Sequence, residues 1–408
     1  MNCNYINHLS VFKKSSLPST PLRVGFEGSQ DYDLLLRTLP AMARGAIVHL
    51  PYILYSWRVT SDAQSFSQKK ARRAKLTSML ALSDYISSQN IEAEAVENGD
   101  TMFRMRRLCP KASPLISIII PTRDRSNLVK ACVDGILHRT DYENWEVIIV
   151  DNDSEEEETF SFYRNVLEDS RFKVIHYHGI FNYSAINNLA VKSARGELLC
   201  LLNNDVEVIK PNWLKEMMAY AVLPDVGCVG ARLLYEDDTL QHGGVIIGLG
   251  GVAGHSHKRR GLGDPGYYRR IDLVHEMSAV TAACLVCSKK KFEQVGGFEE
   301  EHLKVAFNDV DLCLKMADAG YRNIYNPEAT LYHLESISRG SDDTPEHVER
   351  FRSEVAHMKK RWQKYINHDP AYNPNLTIDR EDFSISWAPR VSRVPSKIDF
   401  DQWGNQGR

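Results

Sequence analysis

The sequence predicts an α/β fold in which helices cover both faces of a parallel sheet. Between residues 113 and 340, apolar runs of strand length alternate with segments of helical periodicity. Runs that are apolar throughout and rich in β-branched residues are typical of strands buried on both faces. Three of the runs end in polar clusters, at residues 121–124, 151–154 and 203–205. Ligands bind outside the carboxyl ends of strands in such sheets, so these clusters predict a site.

The first half of this region contains the regular alternation. The first strand is a β-branched run that ends at Pro121, and the helix after it places Leu128, Cys132 and Ile136 on one face. The second and fourth strands lead directly into the Asp- and Asn-rich clusters. We predict strands at residues 115–120, 145–150, 173–177 and 198–202, and helices at residues 126–138, 160–167 and 185–193.

The second half is less regular and contains Gly-rich loops at residues 243–251 and 255–268. We interpret it as the part that binds an acceptor, and the regular half as the part that binds a nucleotide. A helix at residues 344–366 is predicted to pack its apolar face on the domain. The elements predicted between the loops and that helix are a strand-like run at residues 279–288, a helix that begins at Asn308 and a last strand at residues 329–333.

Composition limits the class of protein. The 408 residues include 50 Lys and Arg against 53 Asp and Glu, a formal charge of −3, which gives no support for nucleic-acid binding. No apolar run reaches the ~18–20 residues of a spanning helix, and the N-terminus does not read as a secretory signal, so we expect a cytoplasmic chain. The eight cysteines lie mostly in apolar runs, which indicates reduced thiols in the core.

The N-terminal residues 1–62 resemble a later part of the same chain. A Gly-Phe pair, Asp-Tyr-Asp at residues 31–33 and Leu-Tyr-Ser at residues 54–56 repeat the order of Gly-Phe, Asp-Val-Asp at residues 309–311 and Leu-Tyr-His at residues 331–333. We infer a partial copy of the acceptor half. A piece of this size buries too little surface to be stable alone, so we expect a remnant of a longer protein or a segment docked on the main domain.

This repeat completes the predicted domain organisation. We predict four segments: a partial acceptor-half repeat at residues 1–62, a helical connector at residues 63–112, the α/β domain at residues 113–343, and a C-terminal helix with an extended tail at residues 344–408. The end of the tail, from residue 369, is rich in Pro and Asn and is expected to run over the surface.

Two of the polar clusters suggest ligands for a metal and a nucleotide. Asn203, Asn204 and Asp205 follow a buried strand, and a carboxylate there suits a hard divalent cation that bridges a diphosphate. Asp151 and Asn152 can bond a nucleobase and ribose through carboxylate and amide groups. Either cluster alone would be better explained as a turn, since Asn and Asp favour turns. Their occurrence together favours the site.

Two acids near the start of a later helix, Asp309 and Asp311, have a structural and a functional interpretation. With Asn308 as N-cap, they would stabilise the helix dipole. Alternatively, one of them is a general base, and residues two apart on a helix point in different directions, so only one can face a cleft. Farther on, His333 ends a strand and is a candidate metal ligand, and Arg339 in the next loop could clamp a phosphate.

Other motifs carry less functional information. Cys284 and Cys287 form a single pair inside an apolar run, which favours core packing over metal binding. His242, His255 and His257 lie in Gly-rich loops and could bind zinc, but a fourth ligand at a recognisable spacing is missing. The glycine runs match neither the dinucleotide-binding nor the P-loop spacing, so they do not support an NAD or ATP site.

Taken together, the motifs resemble glycosyltransferase family 2, especially the bacterial rhamnosyltransferase-like enzymes that build surface polysaccharides. The resemblance covers residues 114–340 and extends into the tail to residue 376. It implies the GT-A fold, a Rossmann-like, mixed and mostly parallel sheet flanked by helices, and residues 1–62 resemble the end of a second domain of this family. The segments that carry it are residues 117–124, 150–154, 202–205, 296–298, 308–313 and 333–340.

The resemblance implies a role for each matching residue. Asp309 matches the catalytic base of the family, and Asp205 and His333 match ligands for Mg²⁺ or Mn²⁺. The cluster at residues 203–205 contains a single acid where the family has an Asp-x-Asp-like motif, so we expect modest metal affinity. The residues implied to bind the nucleotide sugar are Pro121, Thr122, Arg123, Asp151, Asn152, Asn204 and Arg339.

The implied reaction is inverting transfer of a hexose or deoxyhexose from a nucleotide-sugar donor to a saccharide or lipid-linked saccharide. The expected setting is synthesis of O-antigen, capsule or another cell-surface polysaccharide, and the resemblance allows peripheral association with the inner face of the cell membrane. No nucleic-acid partner is expected. Two alternatives stay open: an inactive scaffold member of the same family and, ranked lower, a nucleotidyltransferase, which would need a glycine-rich basic loop after the first strand.

Overall fold

The computed structural model describes residues 4, 6, 9–43, 45–56, 61–99, 102–334 and 344–391, with the backbone alone for residues 61–70. The chain divides into two compact units, Met1–Leu108 with Val391–Arg408, and Cys109–Arg390. The helices are α1 Gln30–Thr38, α2 Ser61–Ser88, α3 Ser126–His138, α4 Glu157–Val166, α5 Tyr183–Ser193, α6 Trp213–Ala221, α7 Lys289–Gln294, α8 Asn308–Asp318 and α9 Pro345–Asn367. The strands are β1 Ala93–Asn98, β2 Met102–Arg107, β3 Ile116–Thr122, β4 Trp145–Asp151, β5 Phe172–His176, β6 Leu198–Leu202, β7 Val206–Val208, β8 Val226–Leu234, β9 Leu240–His242, β10 Val245–Ile247, β11 Ala253–His255, β12 His275–Met277, β13 Cys284–Ser288 and β14 Arg322–His333.

The first unit is built from α1, α2 and the antiparallel hairpin β1–β2. Tyr32 and Leu36 of α1, Leu82 of α2 and Phe103 of β2 share one small core. The rings of Tyr32 and Phe103 lie 5.4 Å apart. The hairpin falls in the segment predicted as a helical connector. Charged residues occupy two positions of β1 and three positions of β2 without a period of two, so the apolar pattern that indicates a strand pair is weak.

The second unit is organised around a mixed, mostly parallel sheet, as predicted. The strands lie in the order β12-β14-β8-β13-β6-β3-β4-β5, with β7 paired to β14 and β9 paired to β8. Neighbours run parallel in the β6-β3-β4-β5 half and between β8 and β14. Strand β13 is antiparallel to both β6 and β8. The carboxyl ends of β3, β4 and β6 therefore meet at one edge of the sheet.

Both faces of this sheet are buried, which explains why its central strands are apolar throughout. Ile119 of β3 and Ile148 of β4 pack into the core on one face, with α5 and α8. Ile118 of β3 and Val147 of β4 pack into the core on the other face, with α3 and α6. Successive side chains alternate between the two cores because a strand has a period of two.

The strand-like run at residues 279–288 is a strand only in its second part, β13. In the residues before it, backbone N–H groups donate to side chains instead of to a neighbouring strand. Thr281 N donates to His242 Nε2 at 3.2 Å, and Ala282 N donates to Asp309 Oδ2 at 3.0 Å. The apolar residues predicted a longer strand, whereas these contacts turn the chain toward the polar edge of the sheet.

The C-terminal tail does not simply run over the surface, which corrects the sequence prediction. Asp369 is 4% exposed, and its Oδ2 accepts a hydrogen bond from Ile247 N at 2.8 Å. Tyr372 and Phe383 lie in the core of the second unit. The apolar residues of this segment are too far apart to form a periodic pattern, so burial could not be predicted from them. Residues 392–408 lie outside the described residues.

Helix α9 packs on the second unit, as the amphipathic pattern predicts, with Met358, Trp362 and Ile366 buried. Among the described helices, none combines the length and the apolar composition that crossing a bilayer requires. Of the seven cysteines that are described, all are unpaired and all except Cys109 are buried, which agrees with the prediction of core thiols.

Candidate active site

The polar residues at the ends of β3, β4 and β6 contact one another. Asn204 Nδ2 donates to Thr122 Oγ1 at 2.9 Å. Asn152 N donates to the carbonyl oxygen of Thr122 at 2.9 Å, so the chain after β4 is fixed against the end of β3. Pro121 precedes Thr122 as the penultimate residue of β3 and is buried with it. The structure thus brings four of the residues predicted to bind a nucleotide sugar into one continuous edge.

Asn152 offers an acceptor that none of the described residues uses. Its Nδ2 donates to the carbonyl oxygens of Tyr177 at 3.2 Å and Gly179 at 2.9 Å. These two bonds fix the orientation of the amide. Its Oδ1 is buried and has no hydrogen-bond partner among the described residues. Buried polar atoms in native proteins are rarely unpaired, so this oxygen fits a donor group on a ligand.

Asp151 is almost completely buried and is held by two neighbouring side chains. Tyr163 donates its hydroxyl to Asp151 Oδ1 at 2.8 Å, and His176 Nδ1 lies 3.2 Å from Oδ2. Burial, together with the adjacent Asp151 charge, raises the pKa of Tyr163, which keeps this hydroxyl a donor. Each carboxylate oxygen has two acceptor positions, so Asp151 retains capacity for a further donor.

The loop after β3 is shaped by Asp124, which the sequence analysis did not assign a role. Asp124 Oδ1 accepts hydrogen bonds from Glu155 N at 2.7 Å and Glu156 N at 2.9 Å. The backbone of Asp124 has a φ of 51°, in the left-handed region. Arg123, just before it, has a side chain that is 56% exposed and lies 3.6 Å from Glu155. Its guanidinium is therefore at the surface of this edge.

Asp205 and His333, the two predicted metal ligands, are neighbours in the structure. His333 Nε2 lies 3.2 Å from Asp205 Oδ1 and 3.2 Å from Asn203 Nδ2. Strands β7 and β14 bring them together, because Val206 is paired with His333. Both residues are buried. The proximity of residues 128 positions apart in the chain could not be read from spacing alone.

Gln241 at β9 controls the orientation of His333. Its Nε2 donates to the carbonyl oxygen of His333 at 3.2 Å, which leaves Gln241 Oε1 only 2.6 Å from His333 Nδ1. Nδ1 must then carry the hydrogen, and Nε2 presents a lone pair toward Asp205. Gln241 was not predicted from the sequence, since a single glutamine between Leu240 and His242 is not part of a recognisable motif.

The donor set around Asp205 and His333 fits a divalent cation. His333 Nε2 and Asp205 Oδ1, 3.2 Å apart, are both electron-pair donors, so a cation between them could be bound by both. Adjacent ligands of an octahedral cation with bonds of ~2.1 Å are about 3 Å apart, which matches this separation. The carboxylate suits both Mn²⁺ and Mg²⁺, the imidazole nitrogen favours Mn²⁺ over the harder Mg²⁺, and diphosphate oxygens would occupy further positions.

Three other histidines near this edge do not form the zinc site that the sequence left open. His242 uses both ring nitrogens, on Ala231 O at 2.7 Å and on Thr281 N at 3.2 Å. Burial lowers the pKa of His242 to about 3, so its ring is neutral. His255 Nδ1 contacts the carbonyl oxygen of Gln241 at 2.8 Å, and His257 Nε2 accepts a hydrogen bond from Tyr267 N at 3.0 Å. His242 has no nitrogen left for a metal, so these residues support the fold around His333.

Asp309 and Asp311 face different directions, as predicted. Helix α8 begins at Asn308, and Phe307 stands at the N-cap with a φ of 60°, which corrects the prediction of Asn308 as the cap. Asp311 is fully buried and accepts a hydrogen bond from Trp362 Nε1 at 2.8 Å. Asp309 is half-buried, and its Oδ2 accepts from Ala282 N at 3.0 Å. Asp309 is therefore the acid that a ligand can reach.

A short series of contacts connects Asp309 with the candidate metal ligands. Asp309 accepts from Ala282 N, and the carbonyl oxygen of Ala283, the next residue, accepts from Asn203 N at 3.0 Å. Asn203 in turn contacts His333. The turn before β13 is thus the link between the two parts of the site. Backbone N–H groups have no sequence signature, so this link was not predicted.

One predicted site residue is not described, and one groove is separate from this assembly. Arg339, predicted to bind phosphate, is among residues 335–343, which are outside the described residues. A groove of about 880 Å³ lies between α3 and α4 and contains none of the predicted site residues. It is lined by residues such as Lys130 and Phe162 on the helical side of the sheet, so it is separate from the polar edge.

Comparisons with known proteins find one family profile and two long relatives that are similar to this chain. Residues 117–295 match the profile described as glycosyl transferase family 2; Asp309 and His333 follow this segment. The chain is 48% identical over 390 residues to protein y4gI of Sinorhizobium fredii, covering 95% of this chain and 43% of that protein. It is 35% identical over 388 residues to O-antigen biosynthesis protein RfbC of Myxococcus xanthus, covering 95% of this chain and 30% of that protein. The chain therefore spans less than half the length of either relative.

A solved structure was also found to be similar. The mannosyltransferase PcManGT from Pyrobaculum calidifontis, in complex with GDP-Man and Mn²⁺, matches 77% of this chain and 82% of its own chain. The TM-score is 0.46 and the sequence identity is 16%.

Proposed function

We propose that the second unit, in which residues 117–295 match the glycosyl transferase family 2 profile, transfers a sugar from a nucleotide-sugar donor to a hydroxyl of a saccharide acceptor. Transfer proceeds with inversion at the anomeric carbon and depends on a divalent cation. The donor binds at the carboxyl edge of β3, β4 and β6, and Asp309 is the catalytic base.

The observation that supports this proposal most directly is the contact series from Asp309 to Asp205. A carboxylate that a ligand can reach is linked through Ala282, Ala283 and Asn203 to His333, 3.2 Å from Asp205. A base for the acceptor and ligands for a diphosphate are both required in an inverting transfer. The turn before β13 contacts both Asp309 and Asn203, which supports a role for the base and the metal ligands in one site.

In the reaction, Asp309 accepts the proton of the acceptor hydroxyl while that oxygen forms a bond to the anomeric carbon. The bond between the anomeric carbon and the diphosphate oxygen breaks, and its electron pair leaves with the nucleoside diphosphate. Ala282 N and Val310 N each donate to one oxygen of Asp309 and hold the carboxylate in position. General-base assistance of this kind contributes ~10²–10⁴-fold in rate.

Asp205 and His333 would hold the cation, and Gln241 would keep His333 in the ligating tautomer. A divalent cation at this position supplies positive charge that stabilises the departing diphosphate. Gln241 contributes by fixing the hydrogen of His333 on Nδ1, away from Asp205. Metal-binding histidines generally depend on such a partner for their orientation.

The nucleoside would be recognised at the ends of β3 and β4. The buried Oδ1 of Asn152, which has no partner among the described residues, would accept from a base N–H or a ribose hydroxyl. Thr122 and Asn204 are already bonded to each other, so this part of the edge is preorganised. Arg123 would contribute positive charge toward the phosphates, and so would Arg339, which lies outside the described residues.

The acceptor class follows from the relatives. RfbC of Myxococcus xanthus is named as an O-antigen biosynthesis protein. We accordingly propose a role in cell-surface polysaccharide synthesis, with a saccharide or lipid-linked saccharide as acceptor. A lipid-linked acceptor would require the chain to work at the inner face of the cell membrane.

The proposal is tested by binding and turnover with the full chain. Isothermal titration with UDP, dTDP and GDP, with and without Mn²⁺, should identify one diphosphate whose affinity rises when Mn²⁺ is present. Asp205→Asn should remove that increase and leave metal-free binding in place. Asp237→Asn, which alters an exposed acid in the turn before β9, is the matched control and should behave as the unaltered chain.

A panel of UDP-, dTDP- and GDP-sugars should then show slow donor hydrolysis for the sugar that carries the recognised nucleotide. The main alternative is an inactive scaffold protein, which is favoured by the single acid at residues 203–205. Failure of all three diphosphates to bind in either condition would contradict the transferase proposal and support the scaffold.

A further inference from the structure

A second cluster of metal-ligating side chains lies away from the candidate active site. Glu299 and His302 are in the loop between α7 and α8, and His357 is on α9. Each offers one ligand atom, and these atoms all lie within 4.8 Å of one another. None of the three takes part in the proposed transfer. The cluster therefore needs its own explanation.

The geometry of the cluster is close to that of a zinc site. Glu299 Oε2 lies 3.3 Å from His302 Nδ1 and 3.8 Å from His357 Nε2. Ligand atoms of a tetrahedral zinc ion with bonds of ~2.0–2.1 Å are about 3.3 Å apart, so small side-chain movements complete the site. The two imidazole rings are stacked with centroids 4.6 Å apart, which leaves them on the same side of the carboxylate.

The loop that supplies two of the ligands is already fixed by the fold. Glu299 accepts hydrogen bonds from the backbone N–H groups of Glu301 at 3.0 Å and His302 at 2.9 Å, which orient its carboxylate. Asn188 of α5 bonds both the N–H and the carbonyl oxygen of Phe298. Leu303, next to His302, is completely buried. A preformed backbone lowers the entropy that metal binding must overcome.

His357 supplies an unused nitrogen on the other side. Its Nε2 is buried and has no hydrogen-bond partner among the described residues. Arg361, four residues later on α9, is engaged with the buried Asp311 at 3.3 Å, so its charge is partly balanced. Met358, beside His357, is fully buried and fixes this turn of α9.

We propose that Glu299, His302 and His357 bind a zinc-class transition-metal ion, with water in the fourth position. Two imidazoles and one carboxylate are a donor set that zinc accepts. The ion would cross-link α9 to the loop that precedes α8. This role is structural and independent of the transfer reaction, so failure of either proposal leaves the other standing.

The test is a Zn²⁺ titration of the full chain without an affinity tag, in an Asp205→Ala background that removes the proposed catalytic metal site. This parent should bind one Zn²⁺ per chain. His302→Ala should weaken binding by at least about 100-fold, because loss of a ligand costs no less than loss of a residue that orients one. His302 is half-exposed, so this change should not prevent folding.

Two further measurements separate metal binding from a simple ion pair between His302 and Glu299. Zn²⁺ should raise the unfolding temperature of the parent and leave that of His302→Ala and His357→Gln unchanged. Co²⁺ should give a tetrahedral visible spectrum with the parent and not with His302→Ala or His357→Gln. His368→Asn, at the exposed end of α9, is the matched control and should bind as the parent does. Equal Zn²⁺ affinity in the parent and in His302→Ala, or no binding to the parent, would overturn the proposal.

Discussion

Helices α1 and α8 begin with the same pattern of acids, and the second acid of each has the same role. Asp33 Oδ2 lies 2.8 Å from Arg37, and Asp311 Oδ2 lies 3.1 Å from Lys315, the residue four positions later in each case. Both carboxylates are at most 1% exposed. The pattern of an acid and a base four apart therefore fixes the start of a helix in either setting.

The first acid of each helix shows the difference between the two regions. Asp309 accepts from Ala282 N, in the turn that borders the polar edge of the large sheet. Asp31, at the corresponding position of α1, accepts from Asn4 Nδ2 at 3.0 Å. Among the described residues, the strands of the first unit form one two-stranded hairpin. Two acids at the start of a helix therefore do not form a site by themselves. In the proposed site, the carboxyl edge of parallel strands also lies beside the helix.

The largest expected effect is on turnover, and it should distinguish Asp309 from Asp31. Asp309→Asn should reduce turnover by ~10²–10⁴-fold, because the amide cannot take the acceptor proton. Asp31→Asn is the matched change in α1 and should leave turnover unaltered. The measurement is release of nucleoside diphosphate in the presence of acceptor.

Nucleotide binding provides the control for this pair. Titration of Asp309→Asn with the recognised diphosphate and Mn²⁺ should give the affinity of the unaltered chain. If Asp309→Asn turns over normally, Asp309 is not the base, whatever the behaviour of Asp31→Asn.

Next in size is a stability effect, which tests the similarity of the two second acids. Asp311→Ala should destabilise the second unit by about 3 kcal/mol, since the buried ammonium group of Lys315 keeps its bond to Gly297 O but loses the opposite charge of Asp311. Asp33→Ala should destabilise the first unit by less, because the side chains of its partners Arg23 and Arg37 are 30% and 23% exposed. Urea unfolding followed by hydrogen exchange would assign each loss to its unit. A loss spread equally over both units would contradict the assignment.

A third change sharpens the contrast at the metal site, which has no counterpart in the described part of the first unit. Gln241→Met removes the acceptor that holds the hydrogen of His333 on Nδ1. The Mn²⁺-dependent gain in nucleotide affinity should fall by ~10–100-fold. Metal-free nucleotide binding is the internal control and should persist. An unchanged Mn²⁺ effect would show that Gln241 does not orient His333.

The smallest effect is on the acid dependence of stability, where the two units should differ in sign. Burial opposes ionisation of Asp33, but bonds from Arg23 and Arg37 leave its pKa below the ordinary 3.8. The ionised Asp33 therefore stabilises the first unit above pH 3.8, and this stabilisation is lost as the pH falls through the lowered pKa. Burial raises the pKa of Asp369 despite bonds from Ser278 and two backbone N–H groups. Its contribution therefore increases as the pH falls from above the raised value toward 3.8.

Two amide substitutions isolate these contributions. Asp33→Asn should make the first unit less sensitive to acid below pH 3.8, and Asp369→Asn should make the second unit more sensitive above it. The measurement is the urea midpoint of each unit between pH 5 and pH 2. Changes of the same sign in both units would rule out this account.

The sheet was predictable from the sequence because its strands are buried on both faces. Strand β6 and helix α3 have the predicted bounds, and the other elements of the first half differ by a few residues. The parallel half of the sheet confirms the fold class. The same physical reason explains the error at residues 279–288, where burial without strand pairing produces an equally apolar run. Burial of the tail was missed because its apolar residues follow no period.

The site was predictable where polar residues end a strand and was not where backbone or distant residues complete it. Thr122, Asn152 and Asn204 meet as expected, since parallel strands share a carboxyl edge. The contact of Asp205 with His333 was proposed from family resemblance, and spacing alone could not give it. Gln241 has no motif around it and acts through hydrogen bonds that only the folded chain reveals.

The hydrogen bond from the Trp362 indole to Asp311 determines where a truncated version of the protein can end. The family match stops at residue 295, yet the buried Asp311, two residues after the proposed base, accepts a hydrogen bond from a helix that starts 50 residues later. A portable catalytic fragment would have to run from residue 109 to at least Phe383, whose ring lies in the core. Chimeras that exchange acceptor halves between such enzymes should therefore join downstream of the last helix.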